Sequence, residues 1–206
     1  MRILAAFGMA AALAGLVVGC TDKEPEPAPK PTPTPAATAT PAAQATPQVI
    51  EKGDKIVATP QEGSPAPDFT LPATGGGEVS LASFKGKSQV VLYFYPRDDT
   101  PGCTKESCSF RDNIAGIEGK DAVVLGVSRD SLASHEKFIN KYSLPFALLS
   151  DTDGKVCTAY GALVEKDGKK KFQRSTYIIG KDGNIKKAFP KVTVNGHTEE
   201  VLAALD

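Results

Sequence analysis

The chain reads Val90-Val-Leu-Tyr-Phe-Tyr-Pro-Arg-Asp-Asp-Thr-Pro-Gly-Cys-Thr-Lys-Glu-Ser-Cys-Ser-Phe-Arg-Asp112, a run of strand-forming residues that gives way to a helix. Thr100 is a good N-cap residue, and Pro101 suits the first helical position because its missing N–H would have no partner there. Cys103 therefore lies in the first turn, among free backbone N–H groups at the positive end of the helix dipole. This environment stabilises a thiolate, which is the reactive form of cysteine. We interpret Cys103 as a nucleophile.

The second cysteine of this stretch lies on another side of the same helix. A stripe in step with Cys103 predicts that Cys103 faces the buried side, and its members are Ser107, Phe110, Ile114 and Ile117. Cys108 lies about 140° around the helix with its Cα roughly 8–9 Å away, whereas a disulfide needs less than about 7 Å. The two cannot bond while the first turns stay helical. The spacing therefore suits chemistry in two steps, in which Cys103 reacts, the helix start unwinds, and Cys108 then attacks it.

These residues carry a resemblance to a known family. Pro96-x-x-x-Thr100-x-x-Cys103 resembles the active-site motif of peroxiredoxins. The fuller string, with Cys108 and then Phe-Arg-Asp, is similar to the bacterioferritin comigratory protein or peroxiredoxin Q subfamily. The similarity runs from about Gly63 to Asp206 and includes, in family order, Pro65-Ala-Pro-Asp-Phe69, Leu149-Ser-Asp-x-Asp-Gly-Lys155 and Gly196-His-x-Glu-Glu-Val-Leu202.

The resemblance implies a role for five residues. Cys103 would be the peroxidatic nucleophile, which attacks a peroxide O–O bond and becomes a sulfenic acid. Cys108 would be the resolving cysteine, so that a Cys103–Cys108 disulfide forms. Thr100, besides capping the helix, would hydrogen-bond the thiolate or the peroxide oxygen, and Pro96 would shape the loop and shield the thiolate from water. Arg174 would reach the site from a distant strand and stabilise negative charge on the thiolate and the reacting oxygens.

Simpler interpretations of the same positions stay open. Thr100 could act as a cap alone, Pro96 as a turn, Arg174 as a surface arginine, Cys108 as a spare helix thiol, and Cys103 as an inert thiol or part of a static disulfide. The remaining titratable residues are interpreted as structural or solvent-facing. Cys157 is interpreted as a packed small hydrophobe and His197 as a cap or solvated residue of the last helix. His135, Asp98 and Asp99 are interpreted as exposed. Glu106 and Arg111 are interpreted as surface charges, although the resemblance suggests that Arg111 helps to order the helix.

Composition excludes several classes of function. The chain has 206 residues, of which 41% are hydrophobic and 23% charged, enough for one ordinary domain plus extra segments. The formal net charge is zero without a basic block, so we expect no nucleic-acid partner. Four cysteines without Cys-x2-Cys pairs and two histidines far apart, His135 and His197, predict neither a metal site nor a bound cofactor.

The N-terminal part predicts export. Residues 1–19 have the shape of a secretory signal, because Ile3 to Val18 carry no charge and are shorter than a membrane span. The stretch ends Val17-Val-Gly-Cys20, which resembles a lipobox, so Cys20 would carry a lipid anchor at the cell envelope. An uncleaved membrane anchor and an ordinary signal peptide are the alternatives. Residues 20–48 are predicted to be a Pro/Ala/Thr-rich tether and residues 49–62 a lead-in, with a short strand as one option.

Residues 63–206 are predicted to form one α/β domain. Strands that alternate with helices indicate a parallel sheet, and a closing hairpin around Lys181–Asn184 adds an antiparallel edge. This order is that of the thioredoxin-like fold, a central mixed sheet flanked by helices. The predicted strands are Gln89–Tyr95, Ala122–Ser128, Phe146–Leu149, Ser175–Gly180 and Ile185–Phe189. The predicted helices are Thr100–Gly119, Leu132–Tyr142, Lys155–Tyr160 and Thr198–Leu205.

The resemblance favours a thiol peroxidase, expected to be a monomer. Its substrates would be hydrogen peroxide and organic hydroperoxides, and a thioredoxin-like dithiol protein outside the cytoplasm would reduce the disulfide. A Sco-like copper chaperone of the same fold is the alternative, but Cys103 and Cys108 are spaced Cys-x4-Cys where such proteins have Cys-x3-Cys. A thioredoxin-like disulfide reductase would need Cys-x-x-Cys. A peroxide sensor would use the same thiols, but no output domain is attached.

Overall fold

The computed structural model describes residues 59–166 and 169–205. The predicted signal, Cys20, the tether and most of the lead-in lie outside the described residues. The strands are β1 (Thr70–Pro72), β2 (Glu78–Ser80), β3 (Gln89–Phe94), β4 (Ala122–Ser128), β5 (Ala147–Ser150), β6 (Leu163–Lys166), β7 (Lys169–Phe172), β8 (Ser175–Ile179) and β9 (Ile185–Phe189). The helices are α1 (Pro101–Asp112), α2 (Ile114–Glu118), α3 (Leu132–Tyr142), α4 (Lys155–Ala159) and α5 (His197–Ala204), with a 3-10 turn over Leu81–Phe84.

A mixed five-stranded sheet in the order β5-β4-β3-β8-β9 forms the centre of the domain. Strands β3, β4 and β5 run parallel, whereas β8 is antiparallel to both β3 and β9. The register of β3 and β4 runs from Gln89 opposite Ala122 to Phe94 opposite Val127. β3 reads as a nearly continuous apolar run because both faces of a central strand are covered. The predicted thioredoxin-like α/β fold is confirmed.

Two clusters of buried side chains fill the two faces of the sheet. On one face α1, α2, α3 and α5 contribute Phe110, Ile117, Phe138 and Val201. On the other face, the segment Phe69–Leu81, α4 and the residue that follows it contribute apolar side chains that include Leu71, Cys157 and Tyr160. Cys103 belongs to the first cluster, so the candidate nucleophile packs between α1 and the sheet.

The predicted helix Thr100–Gly119 is interrupted at Asn113, and this correction separates α1 from α2. The Asn113 backbone adopts φ −109° and ψ 10°, and its side-chain amide donates to the carbonyl of Ser109 at 2.9 Å. Asparagine often breaks helices in this way because its short side chain competes for backbone hydrogen bonds. The bounds of α3, β4 and β9 agree with the prediction, and other predicted elements shift by one or two residues.

Two hairpins went unpredicted. β1 and β2 pair around Gly75–Gly77, and β6 pairs with β7. Their strands have only three or four residues, and the sequence of β7, Lys-Lys-Lys-Phe, lacks the alternation that marks a half-buried strand. The hairpin of β8 and β9 was predicted, and Gly183 in its turn has φ +87°, a conformation that favours glycine. Within the described ranges, no helix has the length and apolar character needed to cross a membrane.

Candidate active site

Cys103 lies fully buried in the first turn of α1, as predicted. The chain leaves the central strand β3 at Phe94, passes through a loop and enters α1 at Pro101. The first helical hydrogen bond runs from the amide of Thr104 to the carbonyl of Thr100, 2.8 Å. The amides just before Thr104 therefore have no partner within the helix, and Cys103 lies in this first turn, at the positive end of the helix dipole. The fold thus places this thiol in a site for an anion.

Arg174 supplies a positive charge next to this thiol. It lies just before β8 and close to the end of β3, because Ser175 pairs with Phe94. Its Nη2 donates to Cys103 Sγ at 3.3 Å, and its Nη1 forms an ion pair with Glu106. Burial alone would lower the pKa of Arg174, but the charges of Glu106 and Cys103 outweigh it and raise the pKa. The guanidinium stays charged beside the sulfur, so the structure brings Arg174 and Cys103 together.

The sequence pattern misplaces Glu106, one residue of this site. It was predicted to be a surface charge, but its side chain is only 1% exposed. Burial raises its pKa to about 7, although Arg174 opposes that rise. Its second oxygen, Oε1, has no hydrogen-bond partner among the described residues. Glu106 is three positions after Cys103, so the two side chains share a helix face, and that spacing could have placed the carboxylate in the site.

Gly102 leaves room for the arginine. A side chain built at Gly102 would place its Cβ 3.3 Å from Nη2 of Arg174. That separation is tighter than ordinary van der Waals contact, so a larger residue would push the guanidinium away from the thiol. Gly102 therefore permits the close approach that the site requires.

Thr100 and Pro96 lie in the loop between β3 and α1. Thr100 takes the N-cap position, but its hydroxyl donates to the carbonyl of Arg97 at 3.1 Å and makes no side-chain cap hydrogen bond. The predicted capping by the hydroxyl is wrong because the turn of the loop brings a carbonyl acceptor within its reach. Pro96 is exposed at the start of the loop, just after β3 ends.

Cys108 is half-buried, and both Cys103 and Cys108 are free thiols in the described structure. They lie five residues apart on an unbroken stretch of α1, which runs from Pro101 to Asp112. The structure therefore has the helical form in which the two thiols were expected to be separate.

Asp98 ties the loop to α3, and the prediction that it faces solvent is wrong. Its carboxylate accepts hydrogen bonds from Tyr95 Oη at 2.7 Å, Ser134 Oγ at 2.7 Å and His135 Nδ1 at 2.9 Å. Burial opposes ionisation of Asp98, but the hydrogen bonds from His135 and Ser134 outweigh it and hold its pKa below the usual value. The hydroxyl and ring donors around this carboxylate thus offset the free-energy cost of burying its charge.

His135 was also predicted to be exposed, and the structure buries it completely. Its Nδ1 contacts Asp98, and its Nε2 lies 3.2 Å from the carbonyl oxygen of Leu149 in β5. The imidazole therefore links the active-site loop through α3 to the sheet. A lone histidine in a helix pattern gives no sign of such a partner, because Asp98 is 37 residues earlier in the chain.

The other titratable side chains lie away from the thiols or take structural roles. Asp99 is about half exposed, as predicted, and it pairs with Lys141. Cys157 is buried, which confirms its interpretation as a packed thiol, and burial raises its pKa far above the usual value. His197 is buried, not solvated or capping, because its Nε2 binds Thr176 Oγ1 at 2.9 Å.

Comparison with known proteins agrees with this geometry. A model of the AhpC/TSA family matches residues 63–188. The chain is 50% identical over 147 residues to the "Putative peroxiredoxin bcp" of Coxiella burnetii, a match that covers 69% of this chain and 97% of that relative. It is 44% identical over 147 residues to the peroxiredoxin Bcp of Bacillus subtilis, covering 69% and 93%.

Solved structures agree as well. A structure of the Xanthomonas campestris bacterioferritin comigratory protein, described for its alkyl peroxide reduction activity, superposes with a TM-score of 0.66 at 37% identity and covers 70% of this chain and 97% of that one. A cysteine-to-serine mutant of Xylella fastidiosa PrxQ superposes with a TM-score of 0.67 at 36% identity, covering 72% and 96%.

Proposed function

Because the chain belongs to the AhpC/TSA family, in its Bcp and peroxiredoxin Q group, and is therefore a thiol peroxidase of the oxidoreductase class, we propose that Cys103 attacks the peroxide and that Cys108 resolves the product. The observation that carries this assignment is the contact of Arg174 Nη2 with Cys103 Sγ at 3.3 Å in the first turn of α1. It gives a buried sulfur two sources of positive potential, a guanidinium and a helix N-terminus.

In the first step the Cys103 thiolate attacks one oxygen of the peroxide. The S–O bond forms as the O–O bond breaks, so the sulfur loses two electrons and becomes a sulfenic acid, and the peroxide leaves as water or an alcohol after taking up a proton. Negative charge develops on the leaving oxygen in the transition state. Arg174 is positioned to stabilise that charge, because its guanidinium already lies against the sulfur.

Thr100 and Pro96 would complete the pocket for the peroxide. The Thr100 hydroxyl now donates to Arg97, so it has to give up that bond in order to donate to a peroxide oxygen. Pro96 would restrict the path of water at the mouth of the loop. Arg174, Thr100 and the free amides of the first turn would then hold the peroxide by its oxygens alone. Such recognition accepts hydrogen peroxide as well as organic hydroperoxides.

In the second step the Cys108 thiolate attacks the oxidised sulfur of Cys103. The S–O bond breaks, the S–S bond forms, and the oxygen leaves as water without further oxidation or reduction from outside. Because the helix keeps the thiols apart, the first turns of α1 have to unwind before this attack. A thioredoxin-like dithiol protein would then supply two electrons and two protons by exchange, which returns both cysteines to thiols.

We also propose that the protein acts in the cell envelope. The support is the resemblance of Val17-Val-Gly-Cys20 to a lipobox after an uncharged segment, followed by a proline-rich stretch that suits a tether. A lipid-anchored enzyme cannot meet a cytoplasmic reductant, so its reductant would be an exported protein.

The test compares the reduced protein with two variants in rapid-quench reactions with hydrogen peroxide. Cys103→Ser should lower the rate of peroxide consumption by about a thousandfold or more, because the nucleophile is gone. Cys108→Ser should consume one equivalent at a near-normal rate and then form no intramolecular disulfide. Peptide mapping of the oxidised wild type should find Cys103 joined to Cys108. Equal, slow rates in wild type and Cys103→Ser would overturn the assignment, and normal turnover of Cys108→Ser would move the resolving role to another thiol.

A further inference from the structure

Tyr142, the last residue of α3, contacts the reactive segment at both of its ends. Its hydroxyl donates to Asp99 Oδ1 at 2.6 Å, and its carbonyl oxygen accepts from Arg111 Nη1 at 2.7 Å. Asp99 precedes Cys103 in the chain and Arg111 follows Cys108. One residue of α3 thus holds the chain before the first thiol and after the second.

The two contacts have simple physical causes. The Tyr142 carbonyl is among the last four of α3, which lack partners within the helix, so an arginine beside it satisfies the acceptor and complements the helix dipole. At the other end of the segment, the Lys141 ammonium and the Tyr142 hydroxyl both bind the Asp99 carboxylate. Its Nζ lies 2.8 and 2.7 Å from the two carboxylate oxygens of Asp99, and it sits 5.1 Å from the centre of the Tyr142 ring. The hydrogen bonds from Lys141 and Tyr142 lower the pKa of Asp99, which keeps the carboxylate ionised.

Fixed ends resist unwinding of the segment between them. A helix advances about 1.5 Å per residue and an extended chain about 3.3 Å, so a turn that opens lengthens the segment, which has to bulge between fixed ends unless one end is released and moves. Asp99 is the end that can release. Its side chain is 48% exposed, and its backbone has φ +54°, a left-handed conformation that residues with a side chain seldom adopt. Asp98, the neighbouring residue, is buried and bonded to α3, so it stays in place when Asp99 moves.

We propose that Tyr142 and Lys141, here called the Tyr142 clamp, are positioning residues that hold α1 closed and set the rate at which Cys108 reaches oxidised Cys103. The proposal rests on the two-step function above and adds a control on its second step. In the described part of the chain, no hydrogen bond or ion pair joins the clamp to Cys103 Sγ or to Arg174, so the reaction with peroxide, which needs the folded first turn, proceeds independently of it. The disulfide step needs the first turn to open, so it has to loosen the clamp at Asp99.

Two variants and a matched control test the clamp. Tyr142→Phe removes the hydroxyl and keeps the ring and the carbonyl, and Lys141→Met removes the charge and keeps a chain of similar length. Lys155→Met is the control, because Lys155 makes an exposed ion pair with Asp153, 2.6 Å, outside the α1–α3 contact. Rapid-quench alkylation and mass spectrometry follow the sulfenic acid and the disulfide separately. We expect disulfide formation about two- to fivefold faster in the clamp variants, the range for exposed pairs, with peroxide consumption and the control unchanged.

Salt offers a second readout that a merely structural role would not move. Because exposed ion pairs are screened, adding salt to about 1 M should accelerate disulfide formation in the wild type and have little effect in Lys141→Met. Hydrogen exchange of the amides from Cys103 to Cys108 in the reduced protein should also be faster in both clamp variants. This measurement does not depend on which thiol resolves the sulfenic acid.

Opposite results would overturn the clamp. Unchanged disulfide rates and unchanged exchange in Tyr142→Phe and Lys141→Met would show that the contacts do not restrain α1. An equal fall of both steps would show that they position Cys103 for the peroxide instead. Failure of the underlying function is separable, because it would appear as an absence of the Cys103–Cys108 disulfide in the wild type, whatever the exchange rates show.

Discussion

Glu106 shows how a single residue can couple the stability of this domain to pH. Burial raises its pKa from 4.5 to about 7, so the folded protein binds this proton more tightly than the unfolded chain. The contribution to the free energy of unfolding is therefore fully present below pH 4.5 and is lost as the pH rises through 7. A shift of this size corresponds to at most about 3 kcal/mol.

Glu106→Gln tests this coupling because it keeps the shape of the side chain and removes the titration. We expect the free energy of unfolding of the wild type, relative to the variant, to be greater at about pH 5 than at about pH 8, by up to about 3 kcal/mol. Urea unfolding at the two pH values measures the difference. Glu118→Gln, an exposed position in α2, is the control and should show no such pH-dependent difference. A wild-type advantage that is the same at both pH values would contradict the assignment of a buried, titrating Glu106.

Sequence patterns revealed the residues of the site that a local motif defines and missed those that depend on distant packing. Cys103 follows from a cap and a helix start, and Arg174 from the family resemblance. Glu106 was interpreted as a surface charge and His135 as an exposed helix residue because their partners, Arg174 and Asp98, are 68 and 37 residues away. A buried charge is visible in the sequence only when its partner can be located.

The pairing of Asp98 with His135 operates between elements, since it joins the β3–α1 loop to α3. His135→Ala would leave the Asp98 carboxylate without its ring donor and open a void in a fully buried place. Loss of one partner of a buried pair costs about 3–5 kcal/mol, so we expect the free energy of unfolding to fall by about 3 kcal/mol at neutral pH. Urea unfolding measures the change, and Glu136→Ala, exposed on the same helix, should stay within about 0.5 kcal/mol of the wild type.

The loss of stability in His135→Ala should also depend on pH. The pKa of Asp98 is lowered in the folded protein, so the stability that its ionised form provides is present above the unfolded pKa and disappears as the pH falls through the folded one. The difference between wild type and His135→Ala should therefore shrink in acid. A difference that persists in full when Asp98 is protonated would mean that the lost packing of the ring, not the pair, carries the effect.

Across the whole molecule the sequence predicted best those strands and helices whose burial gives their apolar residues a regular spacing. The alternation of β3, α1, β4, α3 and β5 followed from apolar runs and caps, and the hairpin of β8 and β9 followed from its turn. The hairpins of β1–β2 and β6–β7 form separate two-stranded sheets outside the central sheet. Their strands bury few side chains, so their sequences carry little pattern, and Val164 in β6 is 36% exposed. Tertiary contacts, not local preference, decide such short strands.

The proposed anchor is also a property of the whole molecule, and Cys20→Ala tests it. A residue that carries several acyl chains binds a bilayer stably, where a single chain gives only marginal binding. Full-length wild type expressed with its signal should therefore enter the detergent phase on partition and show a mass increased by lipid, whereas Cys20→Ala should not be lipidated. Cys103→Ser serves as the control, because loss of the nucleophile should leave partition unchanged. A wild type that is uncleaved, unlipidated and found in the detergent phase would identify the apolar segment itself as the anchor. A wild type that is cleaved, unlipidated and fully aqueous would identify an ordinary signal peptide, and in both cases the lipid anchor at Cys20 would be wrong.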